Sequence, residues 1–85
     1  MIEELIQIIR ENNRIPDEVK MDRDSRLDTD IGLSSFDLME VLTVAEETYG
    51  IAIPRERIPG FSTLGDVADC IEELQGNAER GGEQQ

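Results

Sequence analysis

Apolar residues at Ile2, Leu5, Ile6 and Ile9, with Ile8 at the margin, recur at the spacing of one helical face and predict a helix over about 2–13. Glu3 and Glu4 fall in its first turn, where the helix dipole favours acids. Asn12-Asn13 and then Pro16 end it. Over 14–33 the periodicity lapses, yet Ile15, Val19, Met21, Leu27, Ile31 and Leu33 recur and read as anchors that pin a long connection across a bundle. A second helix is expected over about 35–49, with Gly50 as its C′ residue and Leu38, Val41, Leu42, Ala45 and Tyr49 facing inward. Ile51-Ala52-Ile53-Pro54 reads as an extended link, and residues 55–58 as one short helical turn stopped by Pro59-Gly60, with Phe61 plugging the core beneath it. Leu64, Val67, Ala68, Ile71 and Leu74 give the inward face of a last helix over about 63–74, capped by Ser62 or Thr63. The pattern predicts an all-α fold, a small four-helix bundle of three main helices plus one short helix, with a long loop after helix 1. It occupies residues 1–75, and residues 76–85, which have nothing to bury, are expected to be a disordered C-terminal tail.

The junction between the loop and the second helix carries more than its share of signals. Ser34 followed three residues later by Asp37 has the form of a capping box. The next residue, Ser35, then sits at N1 with no visible structural duty for its hydroxyl. Two readings stand on this pattern alone: a tolerated polar residue of a first turn, or a hydroxyl placed to carry a phosphate ester, which the free amides and the dipole would favour. Further along the same helix Phe36, Met39 and Thr43 fall together on one side, flanked by Asp37, Glu40 and Glu47. They either complete the core of a small protein or form a docking surface for a partner with a basic rim and an apolar centre.

Composition narrows the functions that remain. Eighty-five residues with no Trp, one Tyr and two Phe allow one small domain with an aliphatic core. The absence of histidine rules out a Ser-His-Asp triad, and no pocket-forming pair of carboxylates is visible, so the chain is not read as an enzyme. Cys70 is alone, fits a reducing compartment and lies at the edge of an apolar face, where a small buried filler is expected. No metal site is expected: an EF-hand loop begun at Asp22 puts Leu27 where glycine belongs, and one begun at Asp28 puts Met39 where the bidentate Glu should be. The N-terminus is acidic and interrupted by charge, unlike a signal peptide or a membrane span, so the cytoplasm is the expected location.

A net charge of −12 argues against nucleic acid and anionic membranes as partners and against self-association, so a monomer is expected. Basic patches on other proteins are the natural complement. The acids Asp28, Asp30, Asp37, Glu40, Glu46 and Glu47 occupy a stretch, 28–54, with no Lys or Arg, so the most acidic surface surrounds Ser35. Arg55 and Arg57 follow it and are expected to pair with acids of the second helix.

Gly32-Leu33-Ser34-Ser35-Phe36-Asp37 resembles the Gly-x-Asp-Ser-Leu-(Asp/Glu) motif of acyl carrier proteins of the free-standing, phosphopantetheine-dependent type. The similarity continues through Glu46-Glu47-Thr48-Tyr49-Gly50, Ile51-Ala52-Ile53-Pro54 and Ser62-Thr63-Leu64-Gly65-Asp66-Val67, and so covers roughly residues 2–75. Two positions depart from the motif: Ser34 stands where the family has Asp, and Phe36 where it has Leu. Serine keeps the helix cap and loses the charge.

The resemblance implies that Ser35 carries a covalent 4′-phosphopantetheine arm, placed there from coenzyme A by a phosphopantetheinyl transferase. It implies further that the arm holds acyl groups as thioesters. The second helix then docks on acyl-loading and acyl-transferring enzymes through Phe36, Met39 and Thr43, with Asp37, Glu40 and Glu47 steering encounter with their basic patches. The family's short helix moves to admit or release the attached chain, for which Leu38, Leu42, Ile53, Phe61 and Ala68 are the expected lining. Cargo of fatty acid, polyketide or a related specialised pathway fits, since the Gly-Gly-x-Ser motif of peptidyl carriers is absent, and the two departures favour a dedicated pathway. The competing reading is an unmodified acidic helical interaction module that binds a basic protein partner.

Overall fold

The computed structural model describes the backbone of residues 1–83 and the side chains of residues 1–76. Three α-helices, α1 (Ile2–Asn13), α2 (Ser35–Tyr49) and α3 (Leu64–Glu83), pack against one another, and a 3-10 helix, Arg55–Gly60, crosses between α2 and α3. Among the described residues there is no strand, only a single antiparallel bridge between Arg26 and Thr63. The core is assembled from Leu5 and Ile9 of α1, Val41, Leu42 and Ala45 of α2, and Leu64, Val67, Ala68, Cys70 and Ile71 of α3, with Leu27, Leu33 and Ile53 contributed by the connections. Leu38, Tyr49 and Leu74, expected to face inward, are half-buried at its margins, where each helix runs past its neighbours. Phe61 is likewise half-buried against the core rather than plugged into it.

The long connection is held from both ends. At its start Arg14 adopts a left-handed conformation, φ 54°, that closes α1, a geometry costing a non-glycine residue on the order of 1 kcal/mol. The Arg10 guanidinium donates to the carbonyls of Pro16 and Val19 at 2.7 and 2.8 Å, so α1 itself gathers in the first loop residues. Of the six expected anchors, Leu27 and Leu33 are buried, and Ile15, Val19, Met21 and Ile31 are half-buried.

The second half of the loop is stitched to the start of α3. Leu27 N–H donates to the Ser62 carbonyl, Leu64 N–H to the Ser25 carbonyl and Gly65 N–H to the Arg23 carbonyl, at 2.9–3.0 Å. The close approach at Gly65 requires glycine, because a Cβ there would lie 3.0 Å from the Arg23 carbonyl oxygen. Ser25 is buried in this seam, its hydroxyl accepting from Asp22 N–H at 2.9 Å.

The start of α3 takes one of the two caps its sequence offers. Thr63, not Ser62, caps α3: its hydroxyl accepts from Asp66 N–H, and the Asp66 carboxylate accepts from the backbones of Ser62 and Thr63. Helical backbone runs on past Leu74 to Glu83, beyond the end that the apolar spacing marks for the last helix. Gln84 and Gln85 lie outside the described residues.

Candidate functional site

The first turn of α2 is built by the reciprocal cap read from its sequence. Ser34 Oγ accepts from Asp37 N–H at 3.1 Å, and the Asp37 carboxylate accepts from Ser34 N–H at 3.0 Å. Gly32, at φ 87°, turns the loop into this cap, a conformation that side chains rarely adopt. Ser35 is the first helical residue, is exposed, and takes no part in the cap. It opens onto a cavity of about 160 Å³ formed with Arg26, Leu27, Asp28, Leu33, Ser34, Leu38, Phe61 and Ser62. The hydroxyl therefore stands at a helix N-terminus with free backbone amides, on a cavity that Arg26 also lines, a setting that suits an attached anion.

Along the outer side of α2, Phe36 is 71% exposed, the one large apolar side chain so displayed among the described residues. Met39 is half-buried, Thr43 is exposed with its hydroxyl donating to the Met39 carbonyl at 2.9 Å, and Glu40 and Glu47 are exposed. Asp37 is half-buried by its role in the cap. Phe36 thus stands clear of the core, whereas Met39 belongs partly to it. Glu46 is engaged elsewhere: its carboxylate accepts from Ile53 N–H at 2.7 Å and fixes the turn from α2 into the extended link. Sequence spacing did not mark Glu46 for this, since its partner lies beyond the helix and is brought near only by the chain reversal at Gly50.

The five residues expected to line an acyl pocket do not meet in one cavity. Leu38 and Phe61 line the cavity beside Ser35. Leu42 and Ile53 line another, of about 100 Å³, with Met39, Thr43, Glu46, Arg55 and Ile58. Ala68 is fully buried in the core. Both cavities abut the region of the 3-10 helix.

That helix is tied to α3 rather than to α2. Arg57 pairs with Glu73 at 3.2 Å, which corrects the expected pairing with second-helix acids; the 3-10 turn aims Arg57 across the groove toward α3. Arg23 similarly grips Asp69 of α3 through both carboxylate oxygens at 2.8 and 2.9 Å. Cys70 is buried, and that burial pushes its thiol above the usual cysteine range, so it is a packing residue and not a nucleophile. Among the described residues no group of three or more potential ligands could hold a metal ion, and no helix is long and apolar enough to cross a membrane.

The family profile described as "Phosphopantetheine attachment site" matches residues 3–71. An acyl carrier protein of Rhodococcus erythropolis is 36% identical over 76 residues, covering 88% of this chain and 81% of that protein. An acyl carrier protein of a Sulfurovum species is 34% identical over 67 residues, 79% of this chain and 87% of its own length. A third, from Wolinella succinogenes, is 35% identical over 65 residues, covering 76% and 83%.

Proposed function

The chain belongs to the acyl carrier protein family, whose members bear 4′-phosphopantetheine and act as carriers rather than catalysts, and from that premise we propose that Ser35 is the attachment residue and that residues 1–75 are the carrier domain. One observation carries the assignment: Ser35 is exposed at N1 of α2, is left out of the cap that occupies Ser34, and faces a cavity able to receive an anion. The residues present therefore fit the group.

When bound, the arm supplies a terminal thiol on which acyl groups travel as thioesters. The Ser35 hydroxyl oxygen bonds to the phosphorus of coenzyme A's phosphopantetheine half. The pyrophosphate bond breaks, the adenosine bisphosphate half leaves, and the hydroxyl proton passes to a base of the transferase. Phe36 offers the apolar contact to partner enzymes and Met39 and Thr43 extend it. Asp37, Glu40 and Glu47 steer their basic patches toward Ser35. Leu38 and Phe61 on one side, and Leu42 and Ile53 on the other, are the surfaces available to shelter cargo, with Ala68 behind them. Fatty acid, polyketide or related specialised biosynthesis in the cytoplasm, by a monomeric carrier, suits an acidic protein of this family.

A second reading, an unmodified acidic module binding a basic protein, rests on Ser34, which removes the family's charge before the attachment serine. Intact mass separates the two. After incubation with coenzyme A and a broad-specificity phosphopantetheinyl transferase, the protein should gain one phosphopantetheine, and Ser35→Ala none. An adduct that persists in Ser35→Ala and vanishes in Ser34→Ala would move the site by one residue. No adduct with any of several transferases would favour the unmodified module.

A further inference from the structure

Arg26 is the only cation lining the cavity beside Ser35, and it is poorly engaged there. Its sole ion pair among the described residues is a long one, 3.9 Å from Nε to the Asp28 carboxylate, with both side chains more than half exposed. Three other arginines are committed. Arg10 donates to two loop carbonyls, Arg23 holds Asp69 with two short bonds, and Arg57 pairs with Glu73. The Arg26 backbone, by contrast, is fixed. Its N–H donates to the Asp30 carboxylate at 2.8 Å, its carbonyl accepts from the N–H groups of Asp30 and Ile31, and it bridges to Thr63. A weakly partnered arginine on a fixed backbone therefore shares a cavity with the attachment serine, at the edge of a stretch of chain that otherwise carries only negative charge.

We propose that Arg26 is the phosphate-binding residue of this site, its guanidinium pairing with the phosphodiester that joins the arm to Ser35. The proposal rests on Ser35 being the attachment residue. A phosphodiester at Ser35 is an anion among acids, and the dipole of α2 offsets only part of that repulsion. A guanidinium offers it charge-assisted, two-pronged hydrogen bonds. The cavity, about 160 Å³, has room for a phosphate group. On loading, Arg26 exchanges the Asp28 carboxylate for the phosphodiester, and Asp28 turns to solvent.

The test uses the full chain, loaded from coenzyme A and verified by intact mass, in wild type, Arg26→Gln and Asp28→Asn. The ³¹P resonance of the loaded wild type should be displaced from its position in the urea-unfolded loaded chain. Arg26→Gln should return it toward that position, as should molar NaCl on the wild type, and Asp28→Asn should displace it further by removing the competing carboxylate. The Arg26 Nε–H signal should shift between unloaded and loaded wild type. Loaded proteins whose ³¹P signals coincide in all three forms, with an unmoved Nε–H signal, overturn the assignment and leave the carrier reading intact. Slower loading of Arg26→Gln with an unchanged ³¹P signal also overturns it, placing Arg26 in the encounter with the transferase. A wild type that accepts no arm overturns the carrier reading, and this proposal with it.

Discussion

Two adjacent serines at the mouth of α2 do different work, and their substitutions should separate cleanly. Ser34→Ala removes the acceptor for Asp37 N–H and should lower stability by about 1 kcal/mol, read as a lower urea midpoint at unchanged m value. Ser34→Asp keeps an acceptor and adds charge at the favourable end of the dipole, so it should hold or raise the midpoint. Ser35→Ala removes a hydroxyl outside the cap and should leave stability within about 0.5 kcal/mol of wild type while abolishing loading. The cap was legible in the sequence because a capping box is local, its partners lying three residues apart. The places of Arg26 and Glu46 were not. Arg26 meets Ser35 only because the loop folds back beside Thr63, and Glu46 meets Ile53 only through the reversal at Gly50.

Helices α1 and α2 follow their apolar periodicity almost to the residue, since a buried stripe at 3.6-residue spacing leaves few alternatives. The connection is different. Leu27 and Leu33 were readable as anchors, but the seam joining residues 23–27 to 62–65 is made of main-chain bonds, which side-chain patterning does not record. The same seam explains Gly65, whose Cβ-free surface admits the Arg23 carbonyl. The start of α3 also has a pH signature. Backbone N–H groups of Ser62, then Thr63, hold the Asp66 carboxyl below its ordinary value of 3.8. Because the folded pKa is the lower one, the stabilisation is complete above pH 3.8 and is lost as pH falls below it toward the folded value. Asp66→Asn should therefore be destabilised relative to wild type by a constant amount near neutrality. That gap should narrow below pH 3.8 in urea titrations taken at successive pH values.

At the scale of the whole molecule the dominant quantity is a charge of −12 on 85 residues. Self-repulsion of this size opposes compaction, and the exposed, solvent-screened pairs Arg23–Asp69, Arg26–Asp28 and Arg57–Glu73 offset little of it. Added NaCl screens repulsion throughout and, among the described residues, weakens three pairs, so the thermal midpoint should rise from low salt toward about 0.15 M, where the Debye length falls to about 8 Å. A midpoint that falls instead would mean the pairs outweigh the net field.

The seam between the loop and α3 has one more consequence, and it concerns time. Leu27 cannot bond to Ser62, nor Ser25 to Leu64, until those residues have been synthesised, and the segment they enclose contains all of α2. A nascent chain that has emerged only as far as Gly50 holds a complete capping box yet lacks Phe61, Ser62 and the floor on which Arg26 rests. The serine is exposed early and its surroundings are finished late. A transferase that reads the finished surroundings, and not the helix alone, therefore acts only after Phe61 and Ser62 have joined the loop.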